Sequence, residues 1–201
     1  MYKRQDEIGV GGKVGVIKSN GGESTLKGAA AAPVQMTLSG PTGAVVATRA
    51  VAQLTGLRNL VTFDMGGTST DCSTVVDGME NVTTNFEIEW GLPIQVPMID
   101  IHTIGAGGGS IAWIDKGGML RMGPQSAGAD PGPACYGRGG EHATVTDANV
   151  VLGRINPDYF LGGRMKLDAE AAHRAVARIA GELGMEVDQT AYAMVQIANN
   201  N

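Results

Sequence analysis

Residues 61–72 read VTFDMGGTSTDC. An apolar run, NLVTFD (59–64), ends on a carboxylate; two glycines follow, and STDCSTVVDG (69–78) resumes strand-like composition. The pattern predicts a buried-type strand, a glycine turn and a second strand. A carboxylate closing a buried strand costs free energy unless something compensates it. A phosphate site would do so. Exposed turn amides can ring a phosphate oxygen, Gly66 and Gly67 let the backbone approach without a Cβ, and Thr68 or Thr70 can add a hydroxyl donor. Asp64 can then hold Mg2+ through its hydration shell, because this metal prefers carboxylates and retained waters. The competing reading is an ordinary hairpin with a solvated Asp. Asp71, a second acid just beyond the glycines, weighs towards phosphate.

The 201 residues are 43% hydrophobic and 17% charged, enough for a real core. The formal charge of −5, with Lys and Arg scattered, argues against nucleic acid as the main partner, since phosphate-backbone binding needs a concentrated basic surface. Cys72 and Cys135 form no C-x-x-C pair and read as reduced thiols of a cytoplasmic protein. The opening MYKRQDE leads into no apolar segment, so no secretory leader is expected there. AVVATRAVAQL (44–54) is too short to span a bilayer and carries Arg49, so no membrane partner is expected. Glycine, at 31 residues, is about twice its usual share and clusters between apolar runs, marking tight turns or close backbone approaches.

Outward from the hairpin, KVGVIKSN (13–20) alternates as a strand, and SGPTGAVVATRAVAQLTG (39–56) reads as a helix with Pro41 in its first position and Gly56 at its stop. VTTNFEIEW (82–90) places Val82, Thr84, Phe86, Ile88 and Trp90 on one face of a half-buried strand. IQVPMIDIHTIG (94–105) is extended, with Pro97 at an edge or bend, and SIAWID and MLRMG flank Lys116-Gly117-Gly118 as a hairpin. PQSAGADPGPACYGRGGEH (124–142) is a long irregular loop of the kind usually functional or disordered. TVTDANVVLGRI (144–155) predicts a short helix capped near Thr146 or Asp147. LDAEAAHRAVARIAGELG (167–184) predicts a helix with Asp168 as cap, Gly184 as stop and a stripe of Ala172, Ala175, Val176, Ile179 and Leu183. A last helix begins near Thr190.

Other chemistry-bearing residues leave alternatives open. GAGGGS (105–110) lacks the final glycine of a dinucleotide fingerprint, so Gly107, Gly108 and Gly109 either lie against a nucleotide's sugar or base or form a structural bend. Asp100 and His102, two apart in an extended run, project from one face. They can share a second divalent metal or a proton relay, or simply hydrogen-bond each other. Asp130 reads as turn chemistry, Cys135 lacks a compelling base, Asp147 as a helix cap, and His142 and His173 as surface residues. The SGPTG helix start could receive an anion but is read first as structural.

KSNGG, SGPTGAVV, TFDMGGTSTD, PMIDIHTIGAGGGSIAWID, GPQSAGADPGPACYGRGG and TVTDANVVLGR occur in this order. Together they resemble the hydantoinase A family of ATP-dependent N-methylhydantoinases, 5-oxoprolinases and acetone carboxylase β subunits. The resemblance implies an α/β, actin/sugar-kinase/Hsp70-like (ribonuclease H-like) fold with ATP and Mg2+ in a cleft, of which this chain supplies the second half. Residues 1–12 would be a poorly defined N-terminal stretch, and 13–201 a hydantoinase A-type ATPase domain truncated at both ends. A first D-x-G-G-T-x-T-D element is missing before residue 60, and IANNN stops where a helix should continue, so the isolated fragment is expected to be inactive. Asp64, Gly66, Gly67, Thr68 and Asp71 would inherit the nucleotide-phosphate role, with Asp64 organising the metal and Asp71 orienting a water or hydroxyl.

In that family ATP phosphorylates the carbonyl oxygen of a cyclic amide or a ketone. The implied substrate is a hydantoin or 5-oxoproline ring, and the implied partner a hydantoinase B-type subunit or domain. The alternatives are a ketone carboxylase β subunit and, in a different class, a non-catalytic nucleotide-binding assembly module.

Overall fold

A computed structural model describes Gly9, residues 14–87, Gly91 and residues 93–201. The chain is mixed α/β and divides into two compact units, one of residues up to 63 with 72–102, the other of 64–71 with 103–201. Among the described residues no helix is long and apolar enough to cross a membrane.

In the first unit, β1 (Gly15–Ile17) and β2 (Glu23–Thr25) pair antiparallel about the Asn20-Gly21-Gly22 turn. Two short elements unanticipated in the sequence follow: α1 (Leu26–Ala31), whose first turn Thr25 caps, and a 3-10 turn at Pro33–Met36. Helix α2 (Ser39–Thr55) ends at Gly56 in the left-handed conformation, φ 74°. It starts at Ser39, so Pro41 occupies the third helical position rather than the first. Residue 41 tolerates this because an N–H in the first turn has no intrahelical acceptor.

β3 (Leu60–Met65), β4 (Thr70–Val76) and β10 (His102–Ile104) form a sheet ordered β10-β4-β3, with β5 (Met79–Glu80) also on β4. Val45 and Val46 of α2 pack with Leu60, Val75, Ile99 and Ile101. The expectation of a buried β3 is corrected: only Thr62 is buried, while Val61 and Phe63 are 72% and 69% exposed and Asp64 is exposed. As an edge strand with no described residue over that face, β3 does not bury the carboxylate, and the desolvation cost anticipated for Asp64 does not arise.

The single strand expected over 82–90 is instead β6 (Val82–Thr83) and β7 (Phe86–Glu87). Ile88 and Trp90 lie outside the described residues. Thr84 and Asn85 interrupt the run, Asn85 donating its N–H to Thr83 Oγ1. The partners are as fragmented: β8 (Pro93–Ile94) pairs with β7 and β9 (Met98–Ile99) with β6, on either side of Pro97.

In the second unit, β11 (Ser110–Ile114) and β12 (Leu120–Ser126) form the expected hairpin. Asp115 Oδ1 caps its turn, accepting the Gly117 and Met119 amides, and Arg121 pairs with Oδ2 at 2.8 Å. The Met119 amide foremost, then Arg121, holds this carboxyl below the usual carboxylate range. Ala112 and Met122 pack with Ala148 of α3 (Val145–Val151), Val176 of α4 (Ala169–Leu183) and Met194 of α5 (Val187–Asn199). Asp168 and Gly184 bound α4 as anticipated, and its buried stripe includes Ala172, Ala175 and Val176. Helix α5 begins at Val187, a turn earlier than expected, with Thr190 donating its hydroxyl to Glu186 O within that first turn.

Candidate functional site

The tip of the β3–β4 hairpin, residues 64–71, belongs to the second unit. Gly66 N–H donates to Ser69 O at 2.8 Å and closes the turn. The GAGGGS loop lies against it, backbone to backbone: Gly108 N–H donates to Gly66 O at 3.0 Å and Gly109 N–H to Gly67 O at 2.6 Å. A Cβ on Gly107 would stand 2.8 Å from the Gly66 and Gly67 carbonyls, and one on Gly109 2.8 Å from Gly67 O. These positions have to be glycine for the two loops to touch.

The clamp is held from behind. Thr146 donates both its N–H and its Oγ1 hydroxyl to Gly108 O, each at 2.8 Å, and Gly107 N–H donates to Ser110 Oγ at 2.9 Å. Buried Thr70 donates its hydroxyl to Ala106 O at 2.6 Å. Ser126 Oγ lies 3.3 Å from both Thr68 Oγ1 and Gly67 O.

A trans peptide is planar, with its C=O and N–H opposed. The carbonyls of Gly66 and Gly67 face the GAGGGS loop, so the N–H groups of Gly67 and Thr68, in the same peptide units, face away from it. Among the described residues, the amides of Gly67, Thr68 and Ser69 have no protein acceptor. Gly67 is also unexplained by the fold: its φ lies outside the left-handed region, and a Cβ there would meet nothing within 4 Å.

Asp64 is exposed at the end of β3, and Asp71, half-buried, accepts the Thr103 hydroxyl at 2.6 Å. Asp64, Gly66, Gly67, Thr68, Thr70, Asp71, Gly107, Gly108 and Gly109 all belong to the second unit. Asp100 and His102 belong to the first, where they line a pocket of about 180 Å³ with Val61, Cys72, Ser73 and Thr74. No hydrogen bond joins Asp100 to His102, and no three His, Cys, Asp or Glu side chains are grouped to hold a metal, among the described residues.

The supporting contacts of three residues escaped the sequence reading. Ser126 and Thr146 touch the clamp across long sequence separations that no local pattern marks. Asp147 does more than cap. Thr144, not Thr146, is the N-cap of α3, in a reciprocal capping box with Asp147; the T-x-x-D spacing at 144–147 was the available signal. Asp147, fully buried, also accepts the Ala134 and Cys135 amides at 3.2 and 2.8 Å, pinning the 3-10 turn Ala134–Tyr136. Burial, then the Asp147 charge, pushes the Cys135 thiol far up. A thiol kept neutral is a poor nucleophile.

The fold and site define a class: a mixed α/β protein whose glycine hairpin, clamped through its carbonyls, presents free amides suited to an anion. The chain belongs to the Hydantoinase/oxoprolinase family, whose pattern matches residues 2–201. It is 42% identical to the caprolactamase subunit alpha of Pseudomonas jessenii over 96% of this chain and 28% of that protein. It is 41% identical to 5-oxoprolinase 1 of Arabidopsis thaliana, over 99% of this chain and 17% of that one. The nucleotide-free structure of acetone carboxylase, from work on ATP-dependent acetone carboxylation, superimposes with a TM-score of 0.88 at 29% identity. It covers 99% of this chain and 28% of that one. The chain thus spans less than a third of the length of these relatives.

Proposed function

We propose that this chain is the phosphate-gripping part of an ATP-dependent enzyme that opens a cyclic amide, a hydantoin or 5-oxoproline, by phosphorylating its carbonyl oxygen. In this reading residues 13–201 belong to a hydantoinase A-type ATPase domain of the actin/sugar-kinase/Hsp70-like fold, working in the cytoplasm. Its relatives include a subunit of a caprolactamase and 5-oxoprolinases, which supports amide chemistry. The observation that carries the proposal is the turn itself. Among the described residues Gly67, Thr68 and Ser69 offer three amides without protein acceptors, those of Gly67 and Thr68 on the side away from the clamp, and nothing in the fold requires residue 67 to be glycine.

These amides would hold phosphate oxygens, and Thr68 Oγ1 could join them. Asp64, exposed and alone, suits Mg2+, which keeps several waters and takes one or two carboxylates with the substrate's phosphates. Asp71, oriented by Thr103, would position a water or hydroxyl. Bound ATP would supply a phosphoryl group that activates the ring carbonyl carbon, so that water can add there and the C–N bond, not the C–O bond, breaks to open the ring, the phosphate being released by hydrolysis afterwards. Preorganised amides and positioning are most of what such transfers require. Gly107, Gly108 and Gly109 serve by holding the turn, and Asp100 and His102 remain candidates for a second metal. A hydantoinase B-type partner is expected, since relatives are named as subunits.

The acetone carboxylase superposition favours a second reading, a ketone carboxylase subunit using the same phosphate turn. A non-catalytic nucleotide-binding module would bind ATP without turnover on any ring. The test is calorimetry of ATP with Mg2+ on the complete protein carrying this chain, beside Gly67→Ala. The fold has room for that Cβ, so the melting temperature should hold while affinity falls about tenfold to a hundredfold, the loss of one or two charge-assisted hydrogen bonds. Unchanged affinity would refute the assignment.

A further inference from the structure

Residues 156–167, between α3 and α4 in the second unit, play no part in the phosphate reading and fold into a closely bonded loop. Asp158 N–H donates to Asn156 Oδ1 at 3.0 Å and Leu167 N–H to Pro157 O at 2.8 Å. Gly163 and Met165 both donate their N–H to Phe160 O, at 3.0 and 3.3 Å, and Phe160 pairs with Met165 in an antiparallel bridge. Phe160 anchors the loop inward, packing against Cys135, Val150, Leu167 and Ala172 with its ring centre 5.9 Å from that of Tyr136. Its neighbours on either side do not join that core: Tyr159 is 68% exposed and Leu161 61%.

Single exposed apolar side chains are ordinary and mean little. Two features set this pair apart. Leu161 has φ 51°, in the left-handed region where an L side chain crowds the backbone and glycine does not. Gly162 and Gly163 follow in the same region, at φ 69° and 81°, so the turn takes glycine at two of its three left-handed positions and leucine at the third. A leucine there costs stability, and no core contact offsets the cost. Tyr159, for its part, has a prepared seat: its ring lies over Gly163, where a Cβ would stand 3.2 Å from Cε2. The fold thus holds two large apolar side chains in the open, already ordered, which reduces the entropy lost when something covers them. Arg164, exposed beside them in the sequence, makes no ion pair among the described residues.

We propose that Tyr159 and Leu161 are the anchors of a contact with the partner subunit, and that the surface receiving them is an apolar cleft with a carboxylate at its rim for Arg164. A few ordered aromatic and apolar side chains carry most of the strength of such contacts, while rim charges act chiefly on the rate of approach. The inference rests on the reading that a hydantoinase B-type partner exists, and it gives that partner a docking point on this chain. It does not depend on the phosphate turn.

The experiment uses the complete protein with the subunit that co-purifies with it, identified by mass spectrometry. Mass photometry over a dilution series gives the dissociation constant of the complex for wild type, Leu161→Gly, Tyr159→Ser and Arg164→Glu, and circular dichroism gives each melting temperature. Leu161→Gly should hold or raise the melting temperature, because it relieves the left-handed leucine, while weakening the complex about tenfold. A chain that folds at least as stably yet assembles less well cannot owe the defect to its fold. Tyr159→Ser should weaken the complex to a similar degree, and Arg164→Glu should weaken it at low salt more than at high salt. A Leu161→Gly complex as tight as wild type overturns the inference, as does a fall in its melting temperature, which would make the leucine a support of the fold. A wild-type protein that pairs only with itself, through a contact that Leu161→Gly abolishes, overturns the choice of partner. One that purifies with no second subunit removes the partner reading on which the inference rests.

Discussion

Gly107→Ala is the sharpest test of the clamp. The new Cβ would stand 2.8 Å from Gly66 O and from the Gly67 carbonyl carbon and oxygen, and all of these are backbone atoms that no rotamer change can move aside. The two loops must separate, which strains or breaks Gly108 N–H to Gly66 O and Gly109 N–H to Gly67 O. Overpacking of this kind costs about 1–3 kcal/mol, and two weakened hydrogen bonds about 0.5–1.5 kcal/mol each, so a loss of about 2–6 kcal/mol is expected. Gly105→Ala is the control: no atom lies within 4 Å of its Cβ and its φ is not left-handed, so a change within about 0.5 kcal/mol is expected. Urea unfolding reads both, and amide exchange at Gly108 and Gly109 should accelerate only in Gly107→Ala. If the two variants unfold together and those amides stay protected, the clamp is not what holds the turn.

Two further outcomes follow from the buried acid behind the loop. Asp147→Asn turns an amide N–H2 towards some of the donors that Asp147 now satisfies, from Ala134, Cys135 and Thr144. Urea unfolding should show a loss of about 2–4 kcal/mol, and a loss below about 0.5 would contradict the bonding described. The Cys135 thiol, raised by burial and by Asp147, should resist iodoacetamide at pH 8 until the protein is unfolded, while half-buried Cys72 reacts. Because the folded-state value is the higher one, the stability this thiol contributes is complete below the ordinary range, roughly 8.5, and declines as pH rises beyond it. Equal labelling of both cysteines in the native protein would contradict this.

What could be read from sequence was whatever local chemistry decides. The hairpin about Met65–Ser69, the Asp168 and Gly184 ends of α4, and the β11–β12 turn all rest on residues within a few positions of each other. Strand burial was not of this kind. NLVTFD is as apolar as a core strand, but cover for Val61 and Phe63 depends on residues far away in the chain, and none among those described provides it. The run from 82 to 90 alternates correctly, yet short partner strands around Pro97 divide it. In the site, the glycines of 105–110 were legible as a close approach but not what they approach. Their partner is the carbonyl side of the other glycine turn, some forty residues earlier, and only this pairing shows which amides of Gly67–Ser69 remain free. Ser126 and Thr146 were invisible for the same reason.

The central claim concerns those three amides, and a nucleotide-bound structure of the complete protein tests it most directly. Phosphate oxygens should lie within hydrogen-bonding distance of the Gly67, Thr68 and Ser69 N–H groups, with Asp64 reaching the metal through water. A nucleotide seated away from the hairpin, with these amides facing solvent, would contradict it.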